Sequence, residues 1–184
     1  MPARSRSPIR LGREIVRGLL LRTAIQARGG ECGPGLRAGA GTHLRWGGHP
    51  GIRLGANIRL GVGVILDVPP GGTLRVGDRV KVQHYTVIAA AHDLTIGDDT
   101  QIAEHCSIRD SDHGLEGGAT IASQTISSKT HLGSDVWIGR GAAVLRGSQL
   151  GDGAVLGANA VLKGTLAAGE VAVGNPARVV SRRR

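Results

Sequence analysis

The chain has 184 residues, a length that suits one domain with a short terminal appendage. It carries 31 Gly, three aromatic side chains (Trp46, Tyr85, Trp137) and no Phe, so it lacks the aromatic bulk of an ordinary core, and the absence of a strict three-residue Gly period excludes collagen. The formal net charge of +9 is gathered at the ends, yet three aromatics make no stacking platform and no nucleic-acid-binding motif is present, so the charge points to a polyanionic cofactor or an anionic membrane surface rather than to nucleic acid.

Residues 1–8, with Arg4 and Arg6, are expected to be disordered. They lack the apolar core and small-residue cleavage site of a signal peptide. Residues 9–28 read as an amphipathic helix, with Val16, Leu20 and Ala24 at i, i+4, i+8 and Ile15 and Leu19 beside them. Its apolar cluster at Leu19 to Leu21 is cut by Arg17 and Arg22 and is far too short to span a bilayer. The preferred role is to lay that stripe across the open end of a solenoid, since solenoid ends require capping. The rival is a basic helix on a membrane surface, which would make the protein peripheral at the inner face of the membrane. Cys32 and Cys106 form no framework and are expected to be reduced, as in the cytoplasm.

A Gly-rich stretch, 29–51, leads into a regular repeat. Aliphatic residues recur every six positions at Leu54, Leu60 and Leu66, at Val76, Val82 and Ile88, and at Ile96, Ile102 and Ile108. The same spacing runs unbroken through Leu132, Ile138, Val144, Leu150, Leu156 and Leu162. Small residues (Val136, Ala142, Ser148, Ala154, Ala160) sit two positions before the next aliphatic, and Gly133, Gly139, Gly151 and Gly157 directly follow the aliphatics Leu132, Ile138, Leu150 and Leu156. Six matches neither the 3.6 of a helix nor the 2 of a strand. It fits a three-sided parallel β-helix in which each hexad makes one short strand and one corner, the aliphatic points inward, the next Gly permits the corner and the small residue fills it. Coils are expected over 52–113 and 130–167, with a loop projecting at 114–129. The chain then leaves the solenoid at Asn175-Pro176. The expected organisation is a basic helical segment at 1–28, a β-helix at 29–170 and a basic tail at 171–184.

Val136-Trp137-Ile138-Gly139, the run from Leu150 to Lys163, and Gly174-Asn175-Pro176-Ala177-Arg178 resemble the closing signature of hexapeptide-repeat acetyltransferases. The nearest groups are the maltose- and galactoside-type O-acetyltransferases and the polysaccharide and xenobiotic acetyltransferases. The resemblance implies a left-handed coil, acetyl-CoA as acyl donor, no metal, and a homotrimer with sites between subunits. It places the general base at His113, just before the projecting loop, where an imidazole can take the acceptor's proton. Asp110 or Asp112 would either orient that ring or shape the turn. It implies cofactor contacts at Trp137, Gly139, Arg140 (backbone N–H), Ala142, Ala158, Ala160, Lys163 and Arg178. Trp137 equally suits a wedge at the trimer contact, and Arg178 a solvated tail. Acceptor contacts fall on Gln83, Tyr85, Asp93 and Asp112.

The sequence departs from the family pattern at Gln83, Ala91, Leu162 and Ser181, which bears on the acceptor more than on the donor. The acceptor expected is a sugar or another small hydroxyl-bearing molecule, including nucleotide sugars and glycosylated natural products; N-acetylation of an amino sugar is the alternative. A zinc enzyme of the γ-carbonic-anhydrase type would need two histidines five apart, whereas His84, His92, His105 and His113 are eight, thirteen and eight apart. A non-catalytic scaffold would explain the repeats but not the placement of His113.

Overall fold

The computed structural model describes residues 7–47, 51–114 and 125–183. They form a left-handed parallel β-helix with three flat faces, preceded by one α-helix, α1 (Pro8–Ala27). The first face stacks Glu31–Cys32, Ile52–Leu54, Thr73–Val76, Asp93–Ile96, Thr130–Leu132, Gln149–Leu150 and Thr165–Leu166. The second runs from Arg37–Ala38 through Gln101–Ile102, Trp137–Ile138 and Val155–Leu156 to Glu170–Val173, and the third from His43–Trp46 through Ser107–Arg109 to Val161–Leu162.

The period of six becomes three columns of stacked side chains. Cys32, Leu54, Val76, Ile96, Leu132, Leu150 and Leu166 are in register on the first face. Ala38, Leu60, Val82, Ile102, Ile138, Leu156 and Ala172 are in register on the second. Every one of these is buried in a single core. At the corner positions two threonines replace alanine without leaving a polar atom stranded. Thr100 Oγ1 donates to the Gly133 carbonyl (2.9 Å) and accepts from the Val136 N–H (3.3 Å). Thr86 bridges Ala103 and Cys106 in the same way.

Three expectations need correction. The glycine after each inward aliphatic is not the residue that turns the corner. Positive φ falls three positions after the aliphatic, at Asp135, Gly141, Gly147, Gly153 and Asn159. Gly139 is instead required by close stacking, because a Cβ there would lie 2.6 Å from the Ala158 backbone nitrogen. Second, the coils begin at Glu31, inside the Gly-rich stretch, where Cys32 and Ala38 hold inward positions that a search for branched aliphatics passes over and leave Leu44 as an isolated match.

Third, α1 does cap the first coil, but with the opposite face. Glu14, Gly18 and Ile25 are buried against the coil, and a Cβ on Gly18 would overlap the Leu36 carbonyl oxygen. Val16 (56%), Leu19 (53%) and Leu20 (67%) face outward. The close approach at Gly18 is open only to a residue without a side chain, so the bulky stripe is turned away.

Two excursions break the winding. Between the third and first faces Ser111–His113 pairs antiparallel with Thr125–Ser127, so the loop expected at 114–129 is rooted in a hairpin that starts earlier. Its residues 115–124, like residues 1–6 of the expected disordered start, lie outside the described residues. At the other end the chain turns at Asn175-Pro176 and returns as Arg178–Arg182, antiparallel to Glu170–Val173. Most of the expected tail is therefore a strand that closes the second face.

Candidate active site

The corner that launches the hairpin is built around Asp110. Its carboxylate is fully buried and accepts the N–H groups of Ala91 (2.8 Å) and His92 (2.9 Å), while its carbonyl accepts Ser128 N–H (2.9 Å). Asp110 thus ties the preceding coil to both arms of the hairpin, which is the turn-shaping role. The Asp112 carboxylate accepts Arg146 Nε (3.2 Å), and Arg146 also donates to Ser128 Oγ (3.2 Å). Arg146 was not foreseen from the sequence. The sequence carries no signal for it, because the same corner position in other hexads varies freely and holds Ser134, Arg140, Asp152 and Ala158. With the hairpin base so fixed, His113 opens onto a cleft of about 380 Å³ bounded by Asp67, Pro69, Ala91, Arg109 and Asp112. An exposed imidazole in such a recess can take up and return a proton.

A second groove, about 490 Å³, runs along the second face beside Trp137, which is 56% exposed. Gln101, Trp137, Val155 and Val171 form one outward row across neighbouring coils. Arg183 closes it, donating to Asp135 Oδ2 (2.9 Å) and the Gly153 carbonyl (3.2 Å). An apolar floor with a cation at its rim suits the arm and phosphates of an acyl-CoA. Gln101, Val155, Val171 and Arg183 were missed, although the first three were legible as the residues one before Ile102, Leu156 and Ala172.

The other expected positions distribute over the prism. Gly139, Arg140 and Ala158 sit on the corner between second and third faces, where Arg140 pairs with Glu104 (3.2 Å). Ala142 and Ala160 share that corner, but their side chains are fully buried in the core. The inward corner they fill presents neither side chain to a cofactor in the single chain. Gln83 and Tyr85 lie on the same corner, and the Tyr85 ring stacks on His105 at 5.4 Å. His84 has a local task, its Nδ1 accepting the Val62 N–H at 2.7 Å.

Lys163 is exposed on the corner between third and first faces, one coil beyond Arg146. Arg178 is exposed at the start of the returning strand and donates to the Ala177 carbonyl (2.9 Å). Asp93 is on the first face, held by Arg75 (2.6 Å) and Lys129 (3.5 Å). In one chain, then, His113, Asp112 and Lys163 occupy one corner, while Gln83, Tyr85, Arg140 and Ala158 occupy another.

Neither thiol is poised for nucleophilic work. Burial pushes both Cys32 and Cys106 above the ordinary thiol range, and Cys106 Sγ donates to the Gly139 carbonyl (3.2 Å). Among the described residues no three His, Cys, Asp or Glu side chains converge as metal ligands.

The family model for the bacterial transferase hexapeptide (six repeats) matches residues 129–164. The chain is 35% identical over 140 residues to WbbJ of Escherichia coli, a protein named for lipopolysaccharide biosynthesis and O-acetyl transfer, with 71% of each chain covered. It is 36% identical over 139 residues to nodulation protein L of Rhizobium leguminosarum bv. viciae, covering 73% of this chain and 72% of that one. Among solved structures it shares its fold with AntD, an N-acyltransferase from Bacillus cereus in complex with dTDP and 3-hydroxybutyryl-CoA. The TM-score is 0.76, with 18% identity and 88% of each chain covered.

Proposed function

This chain belongs to the bacterial hexapeptide-repeat transferases, and we propose that within that family it is an O-acetyltransferase acting on a sugar-type hydroxyl, with His113 as general base. It is an acyltransferase that draws on acetyl-CoA. The choice of a hydroxyl acceptor rests on the O-acetyl transfer named for WbbJ. N-acylation, the activity named for AntD, is the second reading.

The single observation that carries the assignment is His113 standing open on a cleft whose walls are fixed by Asp110 and the Arg146–Asp112 pair. The thioester supplies an activated acyl carbonyl. His113 accepts the proton of the acceptor hydroxyl as its oxygen forms the new C–O bond, and returns a proton to the sulfur as the C–S bond breaks. The Trp137 groove binds the donor's arm, and Arg183 and Arg178 serve its phosphates. Because the donor groove and second-third corner lie apart from the His113 cleft, the complete site forms between copies in a homotrimer. There the second face of one copy, which carries the groove, meets the third-first corner of the next.

His113→Ala is expected to lower CoA release by about 10²–10⁴-fold without altering the circular dichroism spectrum. Equal thiol release by the variant and the parent would remove the base assignment. Treating the radiolabelled product with hydroxylamine separates the two acceptor readings: an ester loses its acetyl group and an amide keeps it.

A further inference from the structure

We infer that the outward face of α1 docks the protein on an anionic lipid bilayer surface. The fold consumes one side of this helix and leaves the more apolar side bare. Glu14, Gly18 and Ile25 meet the first coil, whereas Val16 (56%), Leu19 (53%) and Leu20 (67%) project away from it, and Ile9 (69%) is exposed at the start of the helix, at the rim of a recess shared with Gly39, Ala40 and Val62. At 100° per residue Val16, Leu19 and Leu20 fall within one arc on the side opposite Gly18. Arg13 and Arg17 follow at one edge of that arc, both exposed.

Charge selects the occupant. The helix's one acidic residue, Glu14, is turned to the coil and paired with Arg10 (3.2 Å), so the outward surface carries cations alone. Arg28 stands at its end, and Arg4 and Arg6 precede it in the sequence. A second copy seated on this stripe would set the Arg13 and Arg17 edges against their own kind. Phospholipid headgroups of negative charge meet those edges favourably, while the stripe enters the acyl boundary. The helix lies on the surface rather than crossing it, since no helix among the described residues is long and apolar enough to span a membrane.

The test uses the full chain and sedimentation with vesicles, either phosphatidylcholine mixed with phosphatidylglycerol or phosphatidylcholine alone, at low and high salt. The chain is expected to sediment with the mixed vesicles and to be released by salt. Leu19→Ser with Leu20→Ser should weaken partitioning about tenfold or more. Arg13→Gln with Arg17→Gln should weaken it by about fivefold for each charge. CoA release in solution should be unchanged in both variants, which shows that they fold and separates this result from the catalytic assignment. Failure to bind the mixed vesicles, or equal binding to both kinds, overturns the inference. So does a fall in oligomeric mass in the leucine variant, which would make the stripe a contact between copies.

Discussion

Asp110 and His113 are three residues apart and have opposite fates. The carboxylate is fully buried and spends both lone-pair sets on backbone N–H groups of the neighbouring coil, whereas the imidazole is left exposed at the cleft. Asp110 therefore acts on the chemistry only by holding the hairpin that carries His113. Asp110→Ala removes the acceptor of the Ala91 and His92 N–H groups, which lie nearer solvent than the carboxylate itself, at a total cost of about 1–3 kcal/mol. A urea midpoint lowered in proportion, with kcat falling because His113 loses its fixed base, is the expected result. An unchanged midpoint would contradict the buried role. The sequence offered either an orienting carboxylate or a turn residue here. Only the path of the 88–92 segment beneath the corner decides between them.

At the level of elements, the coils were legible because each hexad repeats one solution to one problem, and a misplaced residue would break a column. The helix was legible as a helix but not in its rotation. Its largest apolar stripe reads as the packing face on hydrophobic grounds, yet the contact is made by Gly18 against the Leu36 carbonyl. Gly18→Val is expected to lift α1 from the first coil and uncover the edge formed by Glu31–Cys32 and Arg37–Ala38. Light scattering should then show concentration-dependent association, and amide exchange should accelerate over residues 31–38. The returning strand Arg178–Arg182 was read as a tail because its Arg-rich composition resembles a solvated end. Its ties are backbone pairing and the Arg182–Glu170 ion pair (3.1 Å), neither of which leaves a hydrophobic pattern. The carboxylate of Glu170 is held below its ordinary range by the Ala167 N–H first and Arg182 second.

For the whole molecule, the separation of the His113 cleft from the Trp137 groove sets the main test of assembly. Co-expressed His113→Ala and Trp137→Ala chains, each inactive alone, are expected to regain activity at about a quarter of the interfaces in randomly mixed trimers. Mixtures no more active than their parents would place the whole site within one chain. The sequence by itself determined the winding: inward residues must recur every six positions to fill a three-sided interior, so the period and the core follow from linear order, and the closing motifs resemble those of one enzyme family. The resemblance to the hexapeptide-repeat acetyltransferases pointed to His113 as the proposed base. Tertiary structure alone decided which groups share a surface. The outward row of Gln101, Trp137, Val155 and Val171 joins residues from four successive coils, and the Arg146–Asp112 pair joins residues 34 positions apart. Stacking converts a distance along the chain into a neighbour across a coil; the period locates the outward positions, but their residue types, free of the packing constraint, follow no pattern that says which of them line a groove.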